Sequence, residues 1–401
     1  MGKRLRLKKN IYVRLSIIAV LVFLGLAAYF AYDLAFRDRK TNEKEEKEEI
    51  NEPAPDPEPV VVESELSLIM VGDCLIHSAI YADAYDSSTG TYNFYKMIDL
   101  MKPIISSYDL AFYNQESLLG GTALGLSSYP RFNAPQEVGD AFLDAGFNLV
   151  SLANNHSLDK GERGILASLD YWKTKENVMT AGSYSSFEER DKDVIMEKNG
   201  ITYALLSYTT TTNGLNVPSG KEYLVNVYSP EQAKKDIERL RDKVDLLMVA
   251  MHWGEEYTHT PVAEEEEIAK YLASLNVDII IGHHPHVIQP IDFIDNTMVI
   301  YSLGNFIASQ SGAIAKHTGL MASVKVHKTT VDGVSTITLL EPTADLEFVY
   351  SIQTGPNSRK AYRLYPYSEL NDSLLKGYKE YYQKYMDIVT SRSDKILYKS
   401  L

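Results

Sequence analysis

Short apolar runs alternate with amphipathic stretches along the chain after residue 66. Runs rich in β-branched and aromatic residues predict strands, whereas apolar residues spaced three and four apart predict helices. The predicted strands are 66–72, 110–115, 148–153, 201–208, 245–253, 277–282 and 298–304. The predicted helices are 135–145, 162–176, 230–242 and 262–275. Strands interleaved with helices in this way predict βαβ units and a largely parallel, layered α/β core.

Two turn signals predict antiparallel pairing in addition. Asn199-Gly200 lies between two β-rich runs, and Asp332-Gly333 lies between VKVHKTT and STITLLE. Both dipeptides are typical of tight hairpins. Residues 369–390, rich in Tyr and Lys, predict a helix. We expect the part 311–401 to support a domain formed by 66–310 rather than to carry its chemistry.

The first residues of the chain have a different pattern. Residues 15–32 contain no charged residue, and only Asp33 interrupts an apolar extension to residue 36. Because about 20 apolar helical residues cross a hydrocarbon layer of about 30 Å, residues 15–36 predict one transmembrane anchor. The alternative is a cleaved signal peptide, but no Ala-x-Ala site ends the apolar run. Six basic residues in 1–14 predict a cytoplasmic tail, a single-pass membrane protein and an extracellular main domain.

Charge and cysteine content narrow the function further. The net charge is −14 over 401 residues, and residues 66–401 alone carry −13, which argues against a nucleic-acid partner. Residues 37–65 are acidic and rich in proline, so they predict an extended linker. The single cysteine, Cys74, excludes a disulfide framework and every cysteine-rich metal site.

Polar residues occur at the C-terminal ends of five predicted strands. They are Asp73 with His77, Asn114 with Glu116, Asn154-Asn155-His156, His252, and His283-His284-Pro285-His286. Because ligands bind outside the carboxyl ends of strands in open α/β sheets, we expect these clusters to meet in one cleft. Imidazole, carboxylate and amide ligands without thiolate suit Mn²⁺, Fe, Zn²⁺ or Mg²⁺. The pattern predicts a site for one or two divalent metal ions, and two ions would share a bridging carboxylate.

Six segments in this region resemble a known family. They are VGDCLIH, NQES, SLANNHSLDKGERG, HWGEEY, IIGHHPHVIQPID and YSLGNF, and they resemble in order and spacing the CapA/PgsA capsule-synthesis family associated with poly-γ-glutamate. That family is similar to the calcineurin-like metallophosphoesterases, so the resemblance implies a layered α/β/β/α sandwich. It also implies a membrane-anchored protein of capsule synthesis or export, whose partners are synthase or export subunits and an anionic polymer.

The resemblance also implies roles for individual residues. It assigns the metal ligands to Asp73, His77, Glu116, Asn155, His252, His284 and His286, with Glu116 in place of the usual bridging aspartate. It implies that His156, beside Asn155, acts on the leaving group as a general acid. The first motif departs from the Asp-x-His pattern of the phosphoesterases, because three residues separate Asp73 from His77.

The predicted substrate contacts are Arg131, Asn114 and Glu256. Arg131 can form paired hydrogen bonds with a carboxylate or a phosphate, although a surface salt bridge is an equal alternative. Three functions remain open at this point. They are a metal-dependent hydrolase that acts on a phosphoryl or acyl centre, a non-catalytic assembly or polymer-binding factor of a synthase complex, and a cell-wall polymer hydrolase.

Overall fold

The computed structural model describes residues 20–32, 60–355 and 358–401, and the chain divides into two units, 1–58 and 59–401. In the first unit, residues 20–32 form a helix, α1. Within the described ranges no helix combines the length and the apolar character that crossing a membrane requires. The predicted tail at 1–14 lies outside the described residues, and so do parts of the predicted anchor at 15–36 and most of the predicted linker at 37–65.

The second unit contains strands and helices in alternation. The strands are β1 (Val61–Leu75), β2 (Tyr85–Asp86), β3 (Thr91–Tyr92), β4 (Leu110–Asn114), β5 (Leu149–Ser151), β6 (Met179–Ala181), β7 (Met196–Lys198), β8 (Ile201–Thr209), β9 (Leu246–His252), β10 (Ile279–His283), β11 (Ile291–Ile294), β12 (Thr297–Ile300), β13 (Asn305–Ala308), β14 (Thr318–Val331), β15 (Val334–Gly355) and β16 (Ser358–Pro366). The helices are α2 (Ser78–Ala84), α3 (Tyr95–Ile98), α4 (Lys102–Ile105), α5 (Glu137–Asp144), α6 (Gly161–Trp172), α7 (Phe187–Asp191), α8 (Pro230–Arg241), α9 (Ala263–Ser274) and α10 (Tyr378–Val389).

Two sheets form the centre of this unit. The first has the strand order β16-β15-β14-β1-β4-β5-β6, and β13 also pairs with β1. Strands β4 and β13 are parallel to β1, whereas β14 is antiparallel to it. The second sheet has the order β11-β12-β10-β9-β8-β7, and its inner strands are parallel. The fold is therefore mixed α/β with largely parallel central strands, as the alternation of apolar runs predicts.

Apolar side chains on both faces of each sheet produce a layered core. Successive residues of a strand point to opposite faces, so Leu68 and Met70 of β1 pack between the two sheets while Ile69 and Val71 face outward. Helices α5 and α6 cover the outer face of the first sheet, and α8 and α9 cover that of the second. This arrangement explains why the central strands are apolar without interruption, since both of their faces are buried.

The predicted strands agree with the observed ones except at their ends, and both predicted hairpins are present as β7–β8 and β14–β15. The helix predicted over 369–390 is wrong in its first part. Helix α10 begins at Tyr378 because Gly377, with φ of 74°, adopts the left-handed conformation that interrupts a helix. The part 311–401 also adds three strands, β14, β15 and β16, to the first sheet.

A close approach of two backbone segments fixes the end of β1. A Cβ atom at Gly72 would lie 1.9 Å from the carbonyl oxygen of Gly304, so only glycine fits there. The next residue, Asp73, donates its backbone N–H to the same carbonyl at 2.9 Å. The carboxyl end of β1 is thereby held against the segment that leads into β13.

Glu265, in the first turn of α9, is a buried carboxyl group whose ionisation opposes folding. Its Oε2 accepts a hydrogen bond from the Val262 N–H at 2.6 Å, whereas Oε1 has no hydrogen-bond partner in the described part of the chain. Burial raises the pKa of Glu265 from 4.5 to about 7. Between these pH values the folded protein keeps a proton that the unfolded chain has lost, so stability falls as the pH rises.

We expect Glu265→Gln to remove this pH dependence, because glutamine keeps the shape and the acceptor oxygen of Glu265 but does not ionise. Relative to the wild type, the free energy of unfolding of the variant should rise by up to about 3 kcal/mol between about pH 4.5 and about pH 7. Urea unfolding at a series of pH values measures this difference. Glu264→Gln, at the exposed neighbouring position, is the matched control. A difference from the wild type that stays constant with pH would contradict the assignment.

Candidate metal centre

In each of the two sheets, the polar residues at the strand ends lie opposite one another on neighbouring strands. In the first sheet, Asp73 of β1 is opposite Asn114 of β4 and Asn305 of β13. In the second sheet, His252 of β9 is opposite His283 of β10. The strands are parallel at these positions, so their carboxyl ends bring the side chains to the same edge.

The turn that follows β10 carries two imidazole side chains. His284 and His286 have φ values of 101° and 57°, in the left-handed region that non-glycine residues seldom adopt. Such conformations cost about 1–3 kcal/mol per residue and are concentrated at functional sites. The carbonyl of Pro285, between the two histidines, accepts a hydrogen bond from the Tyr257 N–H at 2.7 Å, which holds the turn in place.

Asp73, Glu116 and His286 form a buried triad that could hold a divalent metal ion. One potential ligand atom from each residue lies within 4.8 Å of the others. His286 Nδ1 is 3.3 Å from Asp73 Oδ2, and His286 Nε2 is 3.7 Å from Glu116 Oε1. Carboxylate oxygens and an imidazole nitrogen are suitable ligands for Mn²⁺, Fe or Zn²⁺.

A second set of potential ligand atoms surrounds Nε2 of His252. Asn155 Oδ1 lies 3.1 Å from this nitrogen, and His284 Nδ1 lies 3.2 Å from it. Glu116 Oε1 lies 3.7 Å from the same nitrogen. Glu116 is therefore close to both sets, which is the position of a carboxylate shared between two ions.

The Glu116 carboxylate is fully buried, without hydrogen bonds to either of its oxygens in the described part of the chain. Burial raises the pKa of Glu116 well above its usual range, although the charge of His286 opposes this rise. A carboxylate buried without partners costs several kcal/mol, and a cation between Glu116 and its neighbours would remove that cost. The residues present therefore fit a divalent metal ion.

The imidazoles of the site fall into two electrostatic classes. Burial holds the pKa of His252 well below its usual value and lowers that of His284 to about 4, so both rings are neutral near pH 7 and able to bind a metal ion. Burial alone would lower the pKa of His286 too, but the Glu116 and Asp73 carboxylates outweigh it and raise the pKa to about 9. We expect metal binding to displace the proton of His286.

Asn305, which is absent from the predicted ligand set, orients His286. Its Oδ1 accepts a hydrogen bond from His286 Nδ1 at 2.9 Å, and its Nδ2 donates to the carbonyl of Lys316 at 2.9 Å. This contact places a proton on Nδ1 and leaves Nε2, which faces Glu116, for a metal ion. The sequence contains a signal for Asn305, because it follows the apolar run 298–304 as the other polar residues follow theirs.

We expect Asn305→Ala to weaken metal binding by about 10–100-fold, because it releases the ring of His286 without removing a ligand. Calorimetric titration of Mn²⁺ into the full chain measures the Kd. Asn296→Ala, in the exposed turn between β11 and β12, is the matched control. Equal affinity in the wild type and in Asn305→Ala would show that this contact does not orient a ligand.

His156 lies beside the candidate metal centre, and a carboxylate fixes its ring. Nδ1 of His156 is 2.7 Å from Asp159 Oδ2, and the ring of Phe132 packs edge-on against His156 with 4.7 Å between the centroids. Because Nδ1 is used by Asp159, Nε2 is the nitrogen left for a substrate. Asp159 is absent from the predicted site residues, although a carboxylate three residues after a histidine is a signal for such a pair.

A cavity of about 660 Å³ opens at this centre, and both His156 and His286 line it. Arg131 and Glu256, two of the predicted substrate contacts, also lie on its wall. The third, Asn114, is fully buried, and its Nδ2 donates a hydrogen bond to Asp73 Oδ1 at 2.8 Å. Asn114 is therefore placed to orient a potential ligand, and Arg131 and Glu256 are placed to meet a molecule in the cavity.

His77, predicted as a ligand, lines the same cavity but lies outside the triad. Its Nδ1 is 3.2 Å from the Ser309 N–H and 3.0 Å from the Leu75 carbonyl oxygen. Burial lowers the pKa of His77 to about 4, so the ring is neutral near pH 7. Its ring packs edge-on against Phe132, with 5.0 Å between the centroids. The role of His77 as a metal ligand stays a prediction.

The layered two-sheet fold and its buried carboxylate and imidazole groups define an α/β protein with a candidate metal centre. Residues 67–310 match the family model described as "Bacterial capsule synthesis protein PGA_cap", and the chain belongs to this family. The capsule biosynthesis protein CapA of Bacillus anthracis is 31% identical over 193 residues, which are 47% of each chain. The PGA biosynthesis protein CapA of Bacillus subtilis (strain 168) is 31% identical over 186 residues, which are 44% of this chain and 47% of that one. The chain thus spans about half the length of the curated relatives it matches.

Solved structures with a similar arrangement include the calcineurin-like phosphoesterase YfkN from Bacillus subtilis. It aligns with a TM-score of 0.40 and 14% identity over 71% of this chain and 91% of that chain. A hypothetical protein from Thermus thermophilus aligns with the same TM-score and identity over 75% of this chain and 98% of that one.

Proposed function

We propose that this chain is a metal-dependent hydrolase of capsule biosynthesis, with a centre of the metallophosphoesterase type. The observation that carries the proposal is the Glu116 carboxylate, which is buried without hydrogen-bond partners among the described residues, between two sets of potential ligands. Membership of the capsule-synthesis family supports the biological role. The chemistry is supported by the donor set itself, which is Asp73, Glu116, Asn155, His252, His284 and His286.

The proposed roles follow from the position of each group. The potential ligands around Glu116 would hold a divalent ion, which would supply positive charge to stabilise the negative charge that develops at a phosphoryl or acyl centre. His156 holds a proton on Nε2 for the leaving group, and Asp159 keeps the ring in the orientation that allows this. The Phe132 ring packs edge-on against the His156 ring and so helps to hold it in this orientation.

The proposed substrate is an anionic capsule polymer, and poly-γ-glutamate is the candidate that the sequence motifs favour. We propose that the main domain works outside the cell, held by the segment 15–36 and in contact with synthase or export subunits. The basic residues of 1–14 support this orientation. Protease treatment of intact cells tests it, because an exterior domain is degraded, whereas protection of the domain until lysis would overturn this placement.

Hydrolysis of bis-p-nitrophenyl phosphate by the full chain tests the proposed chemistry. We expect activity that depends on added Mn²⁺ and that falls by about 10²-fold or more in His284→Ala, which removes one potential ligand. Lys234→Gln, on the exposed face of α8, is the matched control and is expected to keep full activity. A metal-loaded wild-type protein that hydrolyses neither this ester nor poly-γ-glutamate would overturn the hydrolase and favour a polymer-binding assembly factor.

A further inference from the structure

Residues 334–340, the first part of β15, form a free edge of the first sheet. β14 pairs with them on one side, whereas β16 pairs with β15 only from residue 347 onward. Between these stretches, Leu397 forms a single bridge with Thr343. In the part of the chain that the structure describes, no strand pairs with 334–340 on their outer side. We call this segment the β15 edge.

The β15 edge lacks the features with which proteins protect an exposed strand. Charged residues, proline, bulges and short length are the usual ones, because unpaired N–H and C=O groups otherwise recruit another strand. The edge has the sequence VSTITLL, without charge, proline or glycine, and it pairs with β14 without a bulge. Val334 and Leu340 are 71% and 37% exposed. Ser335 and Ile337 line a cavity of about 680 Å³, so there is space beside the edge.

The other edges of the two central sheets carry such protection in the described ranges. β6, β7 and β11 are only three or four residues long. The two longer edges are charged, with Glu63 and Glu65 in the first part of β1 and Arg359, Lys360 and Arg363 in β16. The β15 edge is the exception, and a strand that pairs with it accounts for this exception.

The distribution of charge favours a second copy of this chain as the source of that strand. Residues 66–401 carry a net charge of −13, so two copies repel each other over most of their surfaces. At the β15 edge neither copy brings a charge into the contact, so the repulsion there is smallest. Residues 41–59 of the same chain fit poorly, because they are acidic and contain four prolines, which cannot donate to a β-ladder.

Antiparallel pairing of the β15 edge with itself, centred on Ile337, brings similar side chains together. Val334 of one copy lies opposite Leu340 of the other, and Thr336 lies opposite Thr338. Apolar pairs and Thr–Thr pairs are among the cross-strand contacts that stabilise sheets. Because a twofold axis passes through the centre of this contact, two copies satisfy it completely and a closed dimer results.

We propose that the β15 edge joins two copies of this chain in a twofold-symmetric dimer, in which the first sheets of both copies form one continuous sheet. Backbone hydrogen bonds between the two edges hold the copies together, and the exposed side chains at 334, 336, 338 and 340 set the register. The inference goes beyond the proposed function and does not depend on it, because the β15 edge contains no residue of the candidate metal centre.

Sedimentation equilibrium of the full chain in a density-matched detergent tests the dimer. We expect the wild type to dimerise and Thr336→Lys/Thr338→Lys to have a Kd at least about tenfold higher, because its lysines lie opposite one another. Thr336→Glu/Thr338→Glu should be weakened in the same way. An equimolar mixture of the two double variants should recover the dimer, since each lysine then lies opposite a glutamate. Val62→Lys, at a position in β1 that is 54% exposed, is the matched control and should dimerise like the wild type.

The mixture distinguishes pairing at this edge from a loss of folding, because a variant that its own charges have unfolded is not rescued by another unfolded copy. A wild type that stays monomeric at every concentration would overturn the proposal. Dimers of unchanged affinity in both double variants would overturn it too, because they would place the contact elsewhere in the chain. Mixed variants that fold but do not recover the dimer would exclude the antiparallel pairing of Thr336 with Thr338.

Discussion

Glu116→Gln is expected to lower metal-dependent activity by about 10³-fold and to leave the metal-free protein at least as stable as the wild type. The two effects have opposite signs because the Glu116 carboxylate stabilises the protein only when a cation is bound to it. In the metal-free protein it is fully buried without a hydrogen-bond partner among the described residues, and burial raises its pKa well above the usual range. Glutamine has nearly the same volume and does not ionise, so it avoids the free-energy cost of a buried negative charge.

The size of each effect follows from general energetics. Loss of a ligand shared by both sets removes several kcal/mol of charge stabilisation, and at about 1.4 kcal/mol per tenfold this lowers kcat by about 10³-fold. Metal ion at about 100 times its Kd stabilises the wild type by about 2.7 kcal/mol, which raises Tm by roughly 4–6 °C in a unit of this size. We expect Glu116→Gln to show no such rise.

Thermal unfolding in EDTA and in Mn²⁺ measures both stability effects, and the Mn²⁺-dependent hydrolysis of bis-p-nitrophenyl phosphate measures the loss of activity. Glu116→Asp tests whether the charge alone is sufficient, because it keeps the carboxylate and shortens the side chain by one methylene group. It should recover part of the rise in Tm that Glu116→Gln lacks. A Glu116→Gln protein that is less stable in EDTA and still gains stability from Mn²⁺ would contradict the role of Glu116.

Much of the fold could be predicted because the information is local. The central strands are short apolar runs buried on both faces, and polar residues mark the point where each strand ends. Asp73 and His252 are examples, since each lies opposite another polar residue on a neighbouring strand. Parallel strands with crossover helices have their carboxyl ends at the same edge, so convergence of these residues follows from the pattern.

What could not be predicted depends on contacts between distant parts of the chain. Strand β14 pairs with the first part of β1, about 260 residues earlier in the chain, and no local pattern specifies that partner. Asn305 and Asp159 orient other side chains, the rings of His286 and His156. Such a role depends on the three-dimensional contact and cannot be read from the sequence. The break before α10 depends on one glycine in a left-handed conformation.

His156→Ala is expected to lower kcat in a way that depends on the leaving group. A proton donor matters most when the departing group is a strong base, so the loss on an alkyl phosphodiester should be about 10²–10⁴-fold. A nitrophenolate leaves without a proton, so the loss on bis-p-nitrophenyl phosphate should be less than about tenfold. Potential ligands such as Glu116 and His284 should instead affect both esters alike, because they act on charge at the reacting centre.

Asp159→Asn is a second variant for this test, and its effect should be smaller than that of His156→Ala. Asp159 Oδ2 contacts His156 Nδ1 at 2.7 Å and also accepts a hydrogen bond from the Phe132 N–H. Asparagine can keep one of these contacts but cannot stabilise a protonated imidazole, so kcat on the alkyl ester should fall less than in His156→Ala while KM stays unchanged. Steady-state kinetics on both esters, with Lys234→Gln as control, measures the two variants. Equal losses on the two esters in His156→Ala would mean that His156 binds substrate or metal rather than delivering a proton.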